Sequence, residues 1–195
     1  MAITLSKNQS ISLEKTAGSR LTKVNMGLGW DPVKKTGFLS KLLGGGAEVD
    51  LDASCLVLDA SKNLLDMVWF RQLASQEGSV RHSGDNRSGE GSGDDEVISV
   101  DLGALPSTAQ YLVFTVNSFT GQTFDQVENA YCRLINPSQN SELARFNLSE
   151  KGPHTGVLMA YLVRSAEDWT LTAVGNAASG RSVEDLVADA QRLIA

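Results

Sequence analysis

Apolar and polar residues alternate along much of the chain. In Val24-Asn25-Met26-Gly27-Leu28-Gly29-Trp30, the residues Val24, Met26, Leu28 and Trp30 alternate with small or polar ones. That period of two marks a half-buried strand. Similar segments at 51–58, 66–73, 97–102, 110–117, 131–135, 142–148, 156–164 and 169–175 are short and mostly rich in β-branched or aromatic residues. Gly, Asn, Asp or Ser separates many of them, so the pattern predicts a mainly β, two-sheet β-sandwich. A short helical turn is expected at 124–130.

The end of the chain changes period. Val183, Leu186, Val187, Ala190 and Leu193 fall on one helical face, behind Ser182 with Asp185 three residues on as a capping box. This helix is expected to dock its apolar stripe on the sandwich. Residues 32–49 resemble an insertion between two strands: Pro32 breaks the first, and Gly44-Gly45-Gly46 loosens the chain before the next. The mixture of Lys34, Lys35 and Lys41 with Phe38, Leu39, Leu42 and Leu43 suits a surface loop, or else a docking site for a partner or a membrane surface. No repeat or linker divides the 195 residues, so a single domain spanning 1–195 is expected.

Composition narrows the function classes. Hydrophobic residues at 42% and charged residues at 21% exclude a disordered or fibrous chain. The N-terminus has no apolar run suited to a signal peptide, and nowhere do ~18 apolar residues follow one another, so a cytoplasmic location is expected. Cys55 and Cys132 form no metal-ligand spacing and read as core residues. The net charge of −6 disfavours nucleic acid as a partner. Most of that charge lies in one place: within 84–96, Asp85, Glu90, Asp94, Asp95 and Glu96 stand against Arg87 alone, leaving a local −4.

Such a concentration needs solvent or a cation. The segment GDNRSGEGSGDDE sets hard oxygen donors on a backbone with four glycines, which can fold tightly and offer carbonyls as well. Calcium takes six to eight such oxygens, whereas magnesium demands stricter octahedral geometry. It is not an EF-hand: with Asp85 as position 1, Glu96 falls at position 12, but Arg87, Gly89 and Glu90 occupy positions 3, 5 and 6. Asp31 and the pair Asp50 and Asp52 form a second acidic cluster, the last two leaving one face of a strand. If the flanking strands pair, all three converge at one sheet edge; a solvated acidic rim is the alternative.

GLGWD (27–31), DLDAS (50–54) and GDNRSGEGSGDDE (84–96), in that order, resemble the TerD family of tellurium-resistance proteins, over most of the chain. WDPVKK (30–35), VNSFTGQTFDQVENAYCRL (116–134) and ELARFNLSE (142–150) are most similar to its TerZ-like members. Ser88 stands where the family commonly has Thr and keeps the hydroxyl. The resemblance implies a β-sandwich, Ca2+ bound by the acidic motifs, and a role in resistance to tellurite and other stresses; it does not imply a known catalytic activity, and a non-enzymatic protein is expected. It carries Asp31, Asp50, Asp52, Asp85, Asn86, Glu90, Asp94, Asp95 and Glu96 over as metal ligands. Protein partners of the tellurium-resistance system are implied, with membrane association left open.

Competing chemistries have weaker support. Gly175 to Ser182 reads GxxxxGRS between a strand and a helix, but Arg181 replaces the phosphate-binding Lys of a P-loop. A metal-dependent hydrolase using the acidic edge is the main alternative. The segment lacks the aromatic platforms of a sugar site, and the chain has neither GxSxG nor HExxH. Direct capture of tellurium oxyanions is opposed by the acidic surface and the two dispersed cysteines.

Overall fold

The computed structural model describes residues 2–32, 50–86, 93–149, 151–166 and 168–194. Among them twelve strands form two six-stranded sheets. They are β1 (Ile3–Thr4), β2 (Ser10–Ser12), β3 (Lys23–Pro32), β4 (Asp52–Asp59), β5 (Leu64–Val68), β6 (Val80–His82), β7 (Glu96–Asp101), β8 (Ala109–Asn117), β9 (Val127–Asn136), β10 (Ser141–Asn147), β11 (Gly156–Arg164) and β12 (Trp169–Ala178). The first sheet runs β1-β10-β9-β3-β7-β6 and the second β2-β12-β11-β8-β4-β5. All neighbours are antiparallel except β1 with β10. A five-residue helix, α1 (Leu13–Ala17), follows β2. The long helix α2 (Val183–Leu193) follows β12.

The alternation in β3 has the expected cause: Val24, Met26, Leu28 and Trp30 all enter the core between the sheets. Strand β4 hardly alternates in exposure, because both its faces are covered. Leu51, Ala53, Cys55 and Val57 face the inter-sheet core, whereas Leu56 and Leu58 pack under α2. The helix seals that second layer with Val183, Leu186 and Ala190, each fully buried. Burying one such Val or Leu contributes about 1.5–3 kcal/mol. Asp185 completes the expected cap, its Oδ2 accepting from the Arg181 N–H at 2.8 Å and the Ser182 N–H at 3.1 Å. Both cysteines are free and lie in the core. Burial pushes the Cys132 thiol up to about 12 and the Cys55 thiol higher still.

Several boundaries differ from the sequence reading. The turn expected at 124–130 is a 3-10 turn over Phe124–Gln126 only, and β9 begins at Val127. The strand expected at 66–73 lies at Leu64–Val68, followed by a tight turn closed by a bridge between Trp69 and Gln72. Strands β1, β2 and β6 and helix α1 were not anticipated. Of the expected insertion, 33–49 lies outside the described residues. The P-loop lookalike is partly strand: Gly175 belongs to β12, and the carboxylate of Asp185 already holds the helix N-terminus.

Candidate metal centre

Both acidic clusters gather at one end of the sandwich, where β3 and β8 end and β4 and β7 begin. The register of the strands brings them together: β3 pairs with β7 as far as Leu28 opposite Glu96, and β4 starts with Asp52 opposite Asn117. Beyond Leu28, Asp95 continues the pairing through its backbone and its carboxylate. The Asp95 N–H donates to the Leu28 carbonyl at 2.8 Å, and Asp95 Oδ2 accepts from the Trp30 N–H at 2.8 Å.

Three of the predicted ligands converge. Asp50, Asp52 and Asp85 each offer a carboxylate oxygen, and these lie within 4.8 Å of one another. Calcium binds oxygens at 2.3–2.6 Å, so ligands of one ion can stand about 5 Å apart. Asp52 is 4% exposed, and among the described residues its Oδ2 has no hydrogen-bond partner. Burial pushes its carboxyl up to about 7, with the charges of Glu96, Asp50 and Asp85 adding to the shift. A buried, unpartnered carboxylate oxygen beside two further carboxylates fits a hard divalent cation.

Asp94, Asp95 and Glu96 bond to neighbouring strands. Glu96 is fully buried, and its carboxylate ties three strands together. Its Oε2 accepts from the Ala53 N–H at 2.7 Å and from His82 Nε2 at 3.1 Å, while Oε1 accepts from the Asn86 N–H at 3.0 Å. The Gly84 N–H donates to His82 Nδ1 at 2.9 Å, so Nε2 carries the proton that Glu96 and the Ala53 carbonyl share. Asp94 turns to the first sheet, where its Oδ1 accepts from Arg133 Nε at 2.7 Å and from the Tyr131 hydroxyl at 3.1 Å. Asn86 Nδ2 donates to Asp95 Oδ1 at 3.2 Å. Burial raises the Asp95 carboxyl above its ordinary value, opposed by the Trp30 N–H. Asp31 is exposed and accepts from Asn129 Nδ2 at 2.8 Å. Glu90 lies outside the described residues.

Gly27 and Gly29 of the GLGWD motif leave room for this arrangement. A Cβ on Gly27 would overlap the Asp94 carboxylate, and one on Gly29 would meet the Tyr131 ring. His82, Tyr131 and Arg133, which the sequence reading missed as site residues, carry no local motif. Only the acidic character of the segments they serve points to the need for such partners.

The fold and site define an antiparallel β-sandwich with an acid-lined end organised by buried hydrogen bonds. The TerD domain family matches residues 1–189. The tellurium resistance protein TerZ of Serratia marcescens is 50% identical over 187 residues, covering 96% of each chain. The stress response protein SCP2 of Bacillus subtilis (strain 168) is 39% identical over 196 residues, covering 96% of this chain and 98% of SCP2. The crystal structure of a homologue of telluride resistance protein (TerD) from Streptomyces coelicolor A3(2) shares the fold. It aligns with a TM-score of 0.69 at 20% identity, over 86% of this chain and 95% of its own. The chain belongs to the TerD family, and within it is most like TerZ.

Proposed function

We propose that the protein is a calcium-binding, non-enzymatic stress-response protein that contributes to tellurite resistance through a calcium-dependent protein complex or signalling role. The resistance and stress part rests on the relatives, which include proteins named for tellurium resistance and for stress response. The calcium part rests on the convergence of Asp50, Asp52 and Asp85, and on the buried Oδ2 of Asp52, which has no hydrogen-bond partner among the described residues. A divalent cation there would offset most of the charge of the three carboxylates and join the start of β4 to the segment after β6. Asp94, Asp95 and Glu96 hold the frame through neighbouring strands, so their substitution acts on the site through its shape.

For the hydrolase alternative, His82 offers no free base and Cys55 no ready nucleophile. Both nitrogens of His82 are committed, and the Cys55 thiol is fully buried with its ionisation strongly suppressed. In any such complex the acidic end is the expected contact surface, since ion binding changes its charge. Isothermal titration with calcium and magnesium, on the wild type and on Asp52→Asn and Asp85→Ala, tests the reading. Saturable calcium binding that either substitution weakens at least tenfold supports it. Heats equal to buffer dilution would refute it. Turnover in a hydrolase screen that depends on Asp52 would refute the non-enzymatic part.

A further inference from the structure

We propose that Asn117 is an additional, neutral oxygen ligand of the cation site, and that it ties occupancy of the site to the base of α2. This rests on the calcium reading above and extends it to a residue outside every acidic segment.

Asn117 stands directly opposite Asp52 in the pairing of β8 with β4. The next pair on that face is Ser54 with Thr115, and the one after is Leu56 with Val113, which pack under α2. Since side chains repeat every two residues, Asp52 and Asn117 lie on this same outer face. Asn117 is 1% exposed, and its Nδ2 donates to the Arg181 carbonyl at 2.8 Å. That bond fixes which end of the amide is oxygen. Among the described residues the oxygen, Oδ1, has no hydrogen-bond partner, and neither has Oδ2 of Asp52, its register partner.

These two buried oxygens belong to paired residues on one face, and the amide has no proton to offer from its oxygen end. The hydroxyl oxygens of Ser54 and Thr115, both fully buried, continue the polar track one pair further and also lack partners among the described residues. An amide oxygen is the donor calcium takes alongside carboxylates, and it adds a ligand without adding charge. Ordered water donating to both Asp52 Oδ2 and Asn117 Oδ1 is the competing occupant. It predicts no dependence of calcium affinity on Asn117.

The same side chain reaches the helix. The Arg181 carbonyl accepts from Asn117, the Arg181 N–H donates to Asp185 Oδ2 in the first turn of α2, and Arg181 Nε donates to the Phe119 carbonyl at 3.2 Å. A cation on Oδ1 polarises the amide and strengthens the donation from Nδ2, so ion binding tightens the base of the helix. By linkage, anything that holds the helix base raises calcium affinity equally.

Two substitutions in the full chain separate these functions. Asn117→Ala removes the ligand, whereas Asn117→Asp keeps an oxygen of the same reach but cannot donate to Arg181 when ionised. Titration with calcium chloride should show affinity reduced about tenfold or more in Asn117→Ala and retained in Asn117→Asp. Calcium should slow amide hydrogen exchange at 181–186 in the wild type and not in Asn117→Asp. Melts in EDTA report any folding defect separately. Wild-type affinity in Asn117→Ala, with Asp52→Asn abolishing binding, would overturn this inference and leave the calcium site standing. A wild type that binds no calcium would overturn both.

Discussion

Glu96→Gln separates the frame of the site from its ligands. The wild-type carboxylate accepts from the Ala53 N–H, His82 Nε2 and the Asn86 N–H at 2.7, 3.1 and 3.0 Å, and it is fully buried. Gln has one acceptor oxygen. The less costly rotamer keeps that oxygen on Ala53 and His82, and turns its NH2 against the Asn86 N–H. Losing one hydrogen bond to a charged acceptor and leaving a donor facing a donor costs about 2–4 kcal/mol. The change also removes a charge that disfavours ionised Asp52, and this relief offsets part of the cost. For a chain of this length each kcal/mol shifts the melting temperature by about 2–4 °C. The range before that relief is roughly 4–16 °C, so a fall toward its lower end is expected in EDTA. Thermal melts followed by circular dichroism measure it. A variant as stable as the wild type would show that the Glu96 network is not holding the strands together, and the division of roles would fail.

Asp52 gives a pH signature. Its folded pKa of about 7 lies above its ordinary value of 3.8, so between those values the native state holds the proton more tightly than the unfolded state. Its contribution to stability falls as pH rises through that window. In EDTA the wild type should lose more stability between pH 5 and pH 8 than Asp52→Asn, and parallel melting curves for the two would contradict this. Gly29→Ala should displace the Tyr131 ring and cost about 1–3 kcal/mol by overpacking, seen in urea titrations; a silent change would mean that the ring moves freely. Leu186→Ala should cost about 2–5 kcal/mol, because that side chain is fully buried under the sandwich face. An unchanged urea midpoint would show that α2 is not integral to the fold.

How much could be read in advance depended on how local the cause was. The alternation of Val24 to Trp30 and the stripe from Val183 to Leu193 follow from single faces meeting the core, so both were legible. Strand β6 has three residues, too few to establish a period, and β1 and β2 are no longer. At 124–130, Phe124, Val127 and Ala130 suit a helical turn, but pairing of β9 with β3 carries Val127 to Ala130 into the sheet. The acidic segments were legible as a site, but the separate duties of their carboxylates were not. Asp94 meets Arg133, 39 residues onward, and Glu96 meets the backbone of Ala53, 43 residues back. Only the sheet registers bring these partners into reach. Asn117 and His82 are single polar residues on strands, without a spacing that marks them.

The most direct test of the central claim is the position of the ion in crystals grown with calcium, located by anomalous scattering. The expected peak is bounded by the carboxylates of Asp50, Asp52 and Asp85, at about 2.3–2.6 Å from their oxygens. A peak elsewhere, or none at a calcium concentration that saturates binding in solution, would contradict it.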